Sequence, residues 1–226
     1  MRRSLTVVAW WAVALLAMFL AGWLLWATAA WLQYGRPGVL ERPDPILSRM
    51  LPSPEVMERH ERTVNATPAR ALQAVRSFRL EDSEYVRAIF RAGEILFALP
   101  RSARAPDEPF LIQASAIGWS VLDSIPEREV AYGAVCQPWQ GQVRFQGMSP
   151  ARFAAFDRPG YAKIAWAIAV DSLAPGRVRL RTETRVVTTD AVSRENFRRY
   201  WSVFSPGISL IRFELLRVVG RQAASR

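Results

Sequence analysis

The sequence predicts an α+β fold: a curved antiparallel sheet wrapped on a long C-terminal helix, with one transmembrane helix in front. Three observations carry this. Ile164, Trp166, Ile168 and Val170 alternate with Lys163, Ala165, Ala167, Ala169 and Asp171, the period of two that marks a strand with two different faces. After the turn Ala174-Pro175-Gly176, Val178, Leu180, Thr182, Thr184 and Val186 alternate with Arg177, Arg179, Arg181, Glu183 and Arg185. A hairpin this long with one apolar face needs a cover, and a helical tail from about Asp190 to about Ala224 follows it. The third observation is a run without charge, Ser4 to Gly35.

Leu5 to Leu32 of that run is long enough to cross a bilayer, which takes about 20 apolar residues. Trp10 and Trp11 lie near one end and Trp23, Trp26 and Trp31 near the other. Trp11 to Trp31 is a helical rise of about 30 Å, the spacing of two interfacial tryptophan belts. The competing reading is a cleaved signal peptide with Arg2-Arg3 in front and Ala27-Thr28-Ala29 as cleavage site. Its apolar core would be far longer than the usual ~7–15 residues, so residues 1–35 are read as an anchor and the chain as a single-pass membrane protein. Cations flank both ends, so the side of the soluble domain is not fixed.

Residues 36–54 hold Pro37, Pro43, Pro45, Pro52 and Pro54 and read as a stiff spacer that lifts the domain off the bilayer. Residues 55–226 form one domain. Glu55 to Asn65 reads as a first strand. Thr67-Pro68 is a helix start, a capping hydroxyl followed by proline at the first position, and the helix runs to about Phe78. A second helix starts near Asp82-Ser83, with Val86, Ile89 and Phe90 at helical spacing. Pro100 to Pro109 reads as a loop, and from Phe110 the chain is expected to turn strand-like. Trp119 to Ile125 and Glu129 to Gln137 flank the turn Pro126-Glu127-Arg128, and Val143 to Gly147 reads as another short strand. Ser149-Pro150 opens a short helix. In the tail Asp190 is the expected cap, Phe197, Tyr200, Trp201 and Phe204 form an aromatic stripe, and Pro206-Gly207 should kink or restart the helix.

The order strand, two short helices, antiparallel strands and one long C-terminal helix resembles the helix-grip fold of the START and pollen-allergen-like superfamily (SRPBCC), which includes polyketide cyclases and lipid carriers. Thr67-Pro68 with Ala71, Leu72 and Val75 resembles its helix after the first strand. Ala174 to Leu180 resembles its last turn, and Asp190 onward its closing helix. Phe153 to Lys163 resembles a branch of uncharacterised bacterial members. The resemblance covers about Val56 to Ala224. It implies a ligand space between sheet and helix.

The formal charge is +10, and of thirty Lys and Arg residues only Lys163 is lysine. The arginines are scattered without interleaved aromatics, which argues against a nucleic-acid partner. No phosphate loop, dinucleotide fingerprint or nucleophile elbow occurs. His60, the single histidine, lacks a metal-spaced cluster and reads as a solvated strand residue. Cys136 is expected to be packing. No cofactor or metal site is expected. Tyr132, Trp139, Trp166, Thr182, Thr184, Tyr200 and Trp201 are the candidate ligand-binding residues, large apolar walls with a few hydroxyls. The row Arg177, Arg179, Arg181 and Arg185 is expected to be a solvated face. The first function expected is a non-enzymatic binder of an apolar small molecule or lipid. The alternatives are a cyclase- or dehydrase-like enzyme using pocket hydroxyls, and an interaction module with a filled core.

Overall fold

A computed structural model describes residues 2–36, 38, 42–88 and 108–225. In chain order the elements are α1 (Arg2–Gln33), α2 (Pro45–Met50), β1 (Val56–Val64), α3 (Pro68–Ser77), a 3-10 turn (Leu80–Asp82), α4 (Phe110–Ala116), β2 (Ser120–Ile125), β3 (Glu129–Cys136), α5 (Pro150–Ala155), β4 (Ala162–Ala174), β5 (Arg177–Thr188) and α6 (Ala191–Ala224). The strands form one antiparallel sheet in the order β1-β5-β4-β3-β2. Ile89, Phe90 and residues 100–107 of the expected loop lie outside the described residues.

The alternation in the β4–β5 hairpin sorts the sheet into two faces. On the inner face Trp166, Ile168 and Val170 of β4 stand opposite Thr184, Thr182 and Leu180 of β5. With Tyr132, Val178 and Val64 they pack against Leu72 and Val75 of α3 and Leu215, Leu216, Val218 and Val219 of α6. Thr67 caps α3, its hydroxyl accepting from the Arg70 amide, and Asp190 caps α6 by accepting from the Val192 and Ser193 amides.

Five expectations are corrected. The stretch from Phe110 is helical, because Pro109 starts a turn that buries Phe110 against Phe78 and Trp166, and Gly118, with φ 104°, follows it in the conformation only glycine adopts without strain. Val143 to Gly147 makes a single bridge, Val135 to Gln146, and not a strand. α6 runs unbroken through Pro206, so it forms no restart and no gap there. Residues 44–51 are not an extended spacer. Asp44 caps α2, and Ile46, Leu47 and Leu51 are buried on the outer face of the sheet with Leu122, Val135 and Phe153.

That cover overturns the solvated arginine row. Arg177 and Arg179 remain accessible, but Arg181, Glu183 and Arg185 are only 3%, 0% and 3% exposed. Their partners across β4 are Ala169, Ala167 and Ala165. Those methyl groups leave room for long charged side chains to lie down and for α2 and α5 to come close. Lys163 shares this face, and its Nζ donates to the Ala154 carbonyl at 2.8 Å above the Phe153 ring.

Candidate functional site

Helix α1 contains one stretch, Trp10–Gln33, that is long and apolar enough to cross a membrane. Its last turns are docked on the domain. Trp26 Nε1 donates to Ser205 Oγ at 3.1 Å. Arg198 donates to the Trp31 carbonyl at 2.9 and 3.1 Å, with its guanidinium 3.9 Å over the Trp31 ring. Tyr34 packs beside Phe197 and donates to Glu55 Oε2 at 2.6 Å. Burial and that carboxylate push the Tyr34 hydroxyl well above the usual phenol range.

Where α1, β1 and α6 meet, a cavity of about 390 Å³ remains. Trp26, Ala29, Ala30, Val56 and Trp201 line it with apolar surface, and Gln33, Tyr34, Arg36, Glu55, Glu58, Ser205 and Ser209 with polar groups. Parity places Glu58 there: it faces inward opposite Thr184, as His60 does opposite Thr182. Helical steps of four place Trp201, Ser205 and Ser209 on one side of α6. Glu58 Oε1 is 2.9 Å from His60 Nε2 and accepts from the Ser209 hydroxyl. Glu58 Oε2 is buried with no hydrogen-bond partner. The carboxylate stands between the serine and the histidine, so the imidazole does not face the serine proton. This differs from a Ser-His-acid triad, in which the histidine takes the middle place.

The seven candidate residues divide into two groups. Tyr132 stacks on Trp166 with centroids 4.7 Å apart and 12° between planes. Phe110 and Trp119 close the sides of the Trp166 ring. Arg212 lies 5.3 Å over it and reaches Thr182 Oγ1 at 3.4 Å. Desolvation lowers the Arg212 guanidinium to about 10, so it stays charged at neutral pH. Thr184 is buried beside them. Tyr200, Trp201 and Trp139 belong to a second cluster around Phe197, and of the seven only Trp201 lines the cavity. The sequence reading missed Glu58, Ser205, Ser209 and Arg212. The parity of Val56 and Val64 was a usable signal for Glu58, since it puts that acid on the buried face. His60 likewise sits on the inner face, half-buried, rather than in solvent.

A second cavity, about 310 Å³, opens on the outer face among Arg42, Arg59, Arg128, Arg179 and Arg181. Four of these five are already paired: Arg59 with Glu183, Arg128 with Asp171, Arg179 with Glu61, and Arg181 with Asp44, Glu129 and Asp171. Little positive charge is left there for an anion. Among the described residues no group of three or more His, Cys, Asp or Glu could hold a metal ion. Cys136 is buried, which pushes its thiol up to about 12, and it is packing.

No family model matches the chain, and no curated protein matches it. Among solved structures it is similar to a crystal structure of the hypothetical protein jhp0584 from Helicobacter pylori, at 9% identity over 82% of this chain and 96% of that one, with a TM-score of 0.40. A likeness so loose bears on neither fold nor function.

Proposed function

We propose that the chain is a membrane-anchored binding protein for a small apolar molecule or lipid, built on a helix-grip domain. The fold part rests on the strand order β1-β5-β4-β3-β2 with one long C-terminal helix across the inner face. The functional part rests on one observation, the cavity at the junction of α1, β1 and α6, lined by Trp26 and Trp201 and by the carboxylates of Glu55 and Glu58. Its volume of about 390 Å³ is at the low end of small-molecule sites, roughly 300–1,000 Å³. That suits a single chain or a small amphiphile better than a whole two-chain lipid. Apolar contact supplies the affinity, at about 25 cal/mol per Å² before association costs, and Glu58 with the serines orients a donor-bearing head. The enzyme alternative, a cyclase or dehydrase using pocket hydroxyls, would draw its acid–base pair from Glu58 and His60.

Native mass spectrometry of the detergent-purified full chain, followed by solvent extraction, is expected to find a co-purifying apolar molecule. Ala30→Trp, which fills the cavity from α1, should release it while the circular dichroism spectrum stays unchanged. Retention of the molecule in the folded variant would remove the cavity as its site. A wild-type chain that binds no apolar probe would leave the interaction-module reading.

A further inference from the structure

The closing helix carries a surface that the sheet does not use. Val203, Leu210 and Phe213 are 46%, 43% and 52% exposed, and Pro206 is half-exposed between them. Steps of three, four and three put these four side chains within one sector of about 80° at 100° per residue. From Tyr200 to Ile211 the helix has no charged side chain. The next residue, Arg212, is turned inward over Trp166.

The position of this stripe relative to α1 says what covers it. α1 exposes Leu15, Leu16, Phe19, Leu20, Leu24 and Leu25, a surface suited to hydrocarbon and not to water. The two helices run in opposite senses. Arg198 meets Trp31, and Ser205 meets Trp26. Moving along α6 from Arg198 to Ser205 therefore descends α1 by five residues, about 7–8 Å toward the bilayer centre. Arg194 and Arg198 lie over Tyr34 and Trp31, the height at which interfacial aromatics and lipid phosphates meet. The uncharged stripe begins just below that height.

We infer that the outer face of α6 from Val203 to Phe213 is seated in the acyl region of the leaflet that surrounds the end of α1, with α6 entering that leaflet obliquely beside α1. Basic residues then stay at the headgroups, at Arg194 and Arg198, while the uncharged stripe below them meets acyl chains. The Trp26–Trp201 side of the cavity then borders lipid and not bulk water, whether or not the cavity is occupied.

Nitroxide labels on the full-length chain test this. In a Cys136→Ala background, single-cysteine variants V203C, L210C and F213C are labelled and reconstituted in phosphatidylcholine–phosphatidylglycerol vesicles. L15C serves as hydrocarbon reference. V121C serves as water reference, since Val121 is 46% exposed on β2, the edge strand opposite β1. The ratio of collisions with oxygen to collisions with a nickel chelate is expected to be severalfold higher at 203, 210 and 213 than at 121, and close to that at 15. A ratio equal to that at 121 overturns the inference. Low collision with both relaxants also overturns it, because that is burial against protein, such as a second copy of the chain. The three positions are read independently, so the loss of one variant on reconstitution leaves two.

Discussion

The two faces of the sheet are covered in opposite ways. The inner face is mainly apolar and aromatic, with Glu58, His60 and Arg212 as its few charged or titratable groups, and one long helix with α3 closes it. The outer face carries Arg181, Glu183 and Arg185 in a row, and a six-residue helix, a second short helix and the Asp44 cap bury it. Burying apolar surface needs only shape. Burying charge needs a partner for each group. Arg181 has Asp44, Glu129 and Asp171. Arg185 donates to Glu183 at 2.7 Å, to Ser48 and to the Leu51 carbonyl. The inner cover is tolerant in composition, whereas the outer cover depends on named pairs.

Single replacements should make the two faces look equally sensitive, and a triple replacement should separate them. Arg181→Leu leaves Asp44 and Glu129 buried without their cation and is expected to cost about 3–5 kcal/mol in denaturant unfolding in detergent. Trp166→Ala on the inner face should cost about the same, roughly 3–5 kcal/mol, through the space it leaves beside Tyr132. Adding Asp44→Asn and Glu129→Gln to Arg181→Leu should recover most of the loss, because the unpaired charges go with the arginine. A triple variant as unstable as Arg181→Leu alone would mean that the outer face is held by geometry other than charge pairing.

Acidity sharpens the same contrast. Burial and the adjacent Asp44 carboxylate push Glu129 up to about 8 from an ordinary 4.5. Between those values the folded chain holds a proton that the unfolded chain releases. Stability from this group is therefore complete below about 4.5 and is lost as pH rises toward 8, on the order of a few kcal/mol across the window. Asp44 is shifted the other way, so its contribution is lost only as pH falls below the ordinary carboxylate range. Thermal melting in detergent should fall between pH 5 and 8.5, and Glu129→Gln should flatten the fall. An unchanged slope in that variant would assign the pH dependence to another group.

Smaller effects mark the outside of α6. Phe204 is half-exposed and stacks on Tyr200 with centroids 4.9 Å apart. Phe204→Ala should cost about 1 kcal/mol, against the roughly 3–5 of a full core phenylalanine. The Glu195–Arg199 pair, one turn apart with side chains 45% and 69% exposed, is worth at most about 0.5 kcal/mol. Arg199→Ala should move the unfolding midpoint almost not at all.

The inner face was legible because both of its determinants are local. Strand alternation in β4 and β5 and the capped helix after Asp190 are written within a few residues of each other. The outer face was written in two distant places. The Ala165, Ala167, Ala169 row is the clue that something approaches closely, but the residues that approach, Asp44 to Leu51, look like a proline-rich spacer when read alone. Pro45 was a first-turn helix residue and not a spacer unit. Arginine at strand parity says only which face it points to, and whether that face meets water depends on the rest of the chain. The cavity at the junction of α1, β1 and α6 suffered likewise. Trp201 was found from the aromatic stripe, while the other walls came from α1 and β1, whose docking on α6 no local pattern announces.

Lys163 has a practical meaning beyond its place on the outer face. It is the one lysine in the chain, 7% exposed, its amine bound to a carbonyl and held below its usual range, chiefly by desolvation. Apart from the N-terminus, the protein therefore offers amine-directed reagents a single target, and folding hides it. Acylation of that side chain becomes a one-site clock for opening of the β4–α5 layer, readable by peptide mass after cleavage at the surrounding arginines.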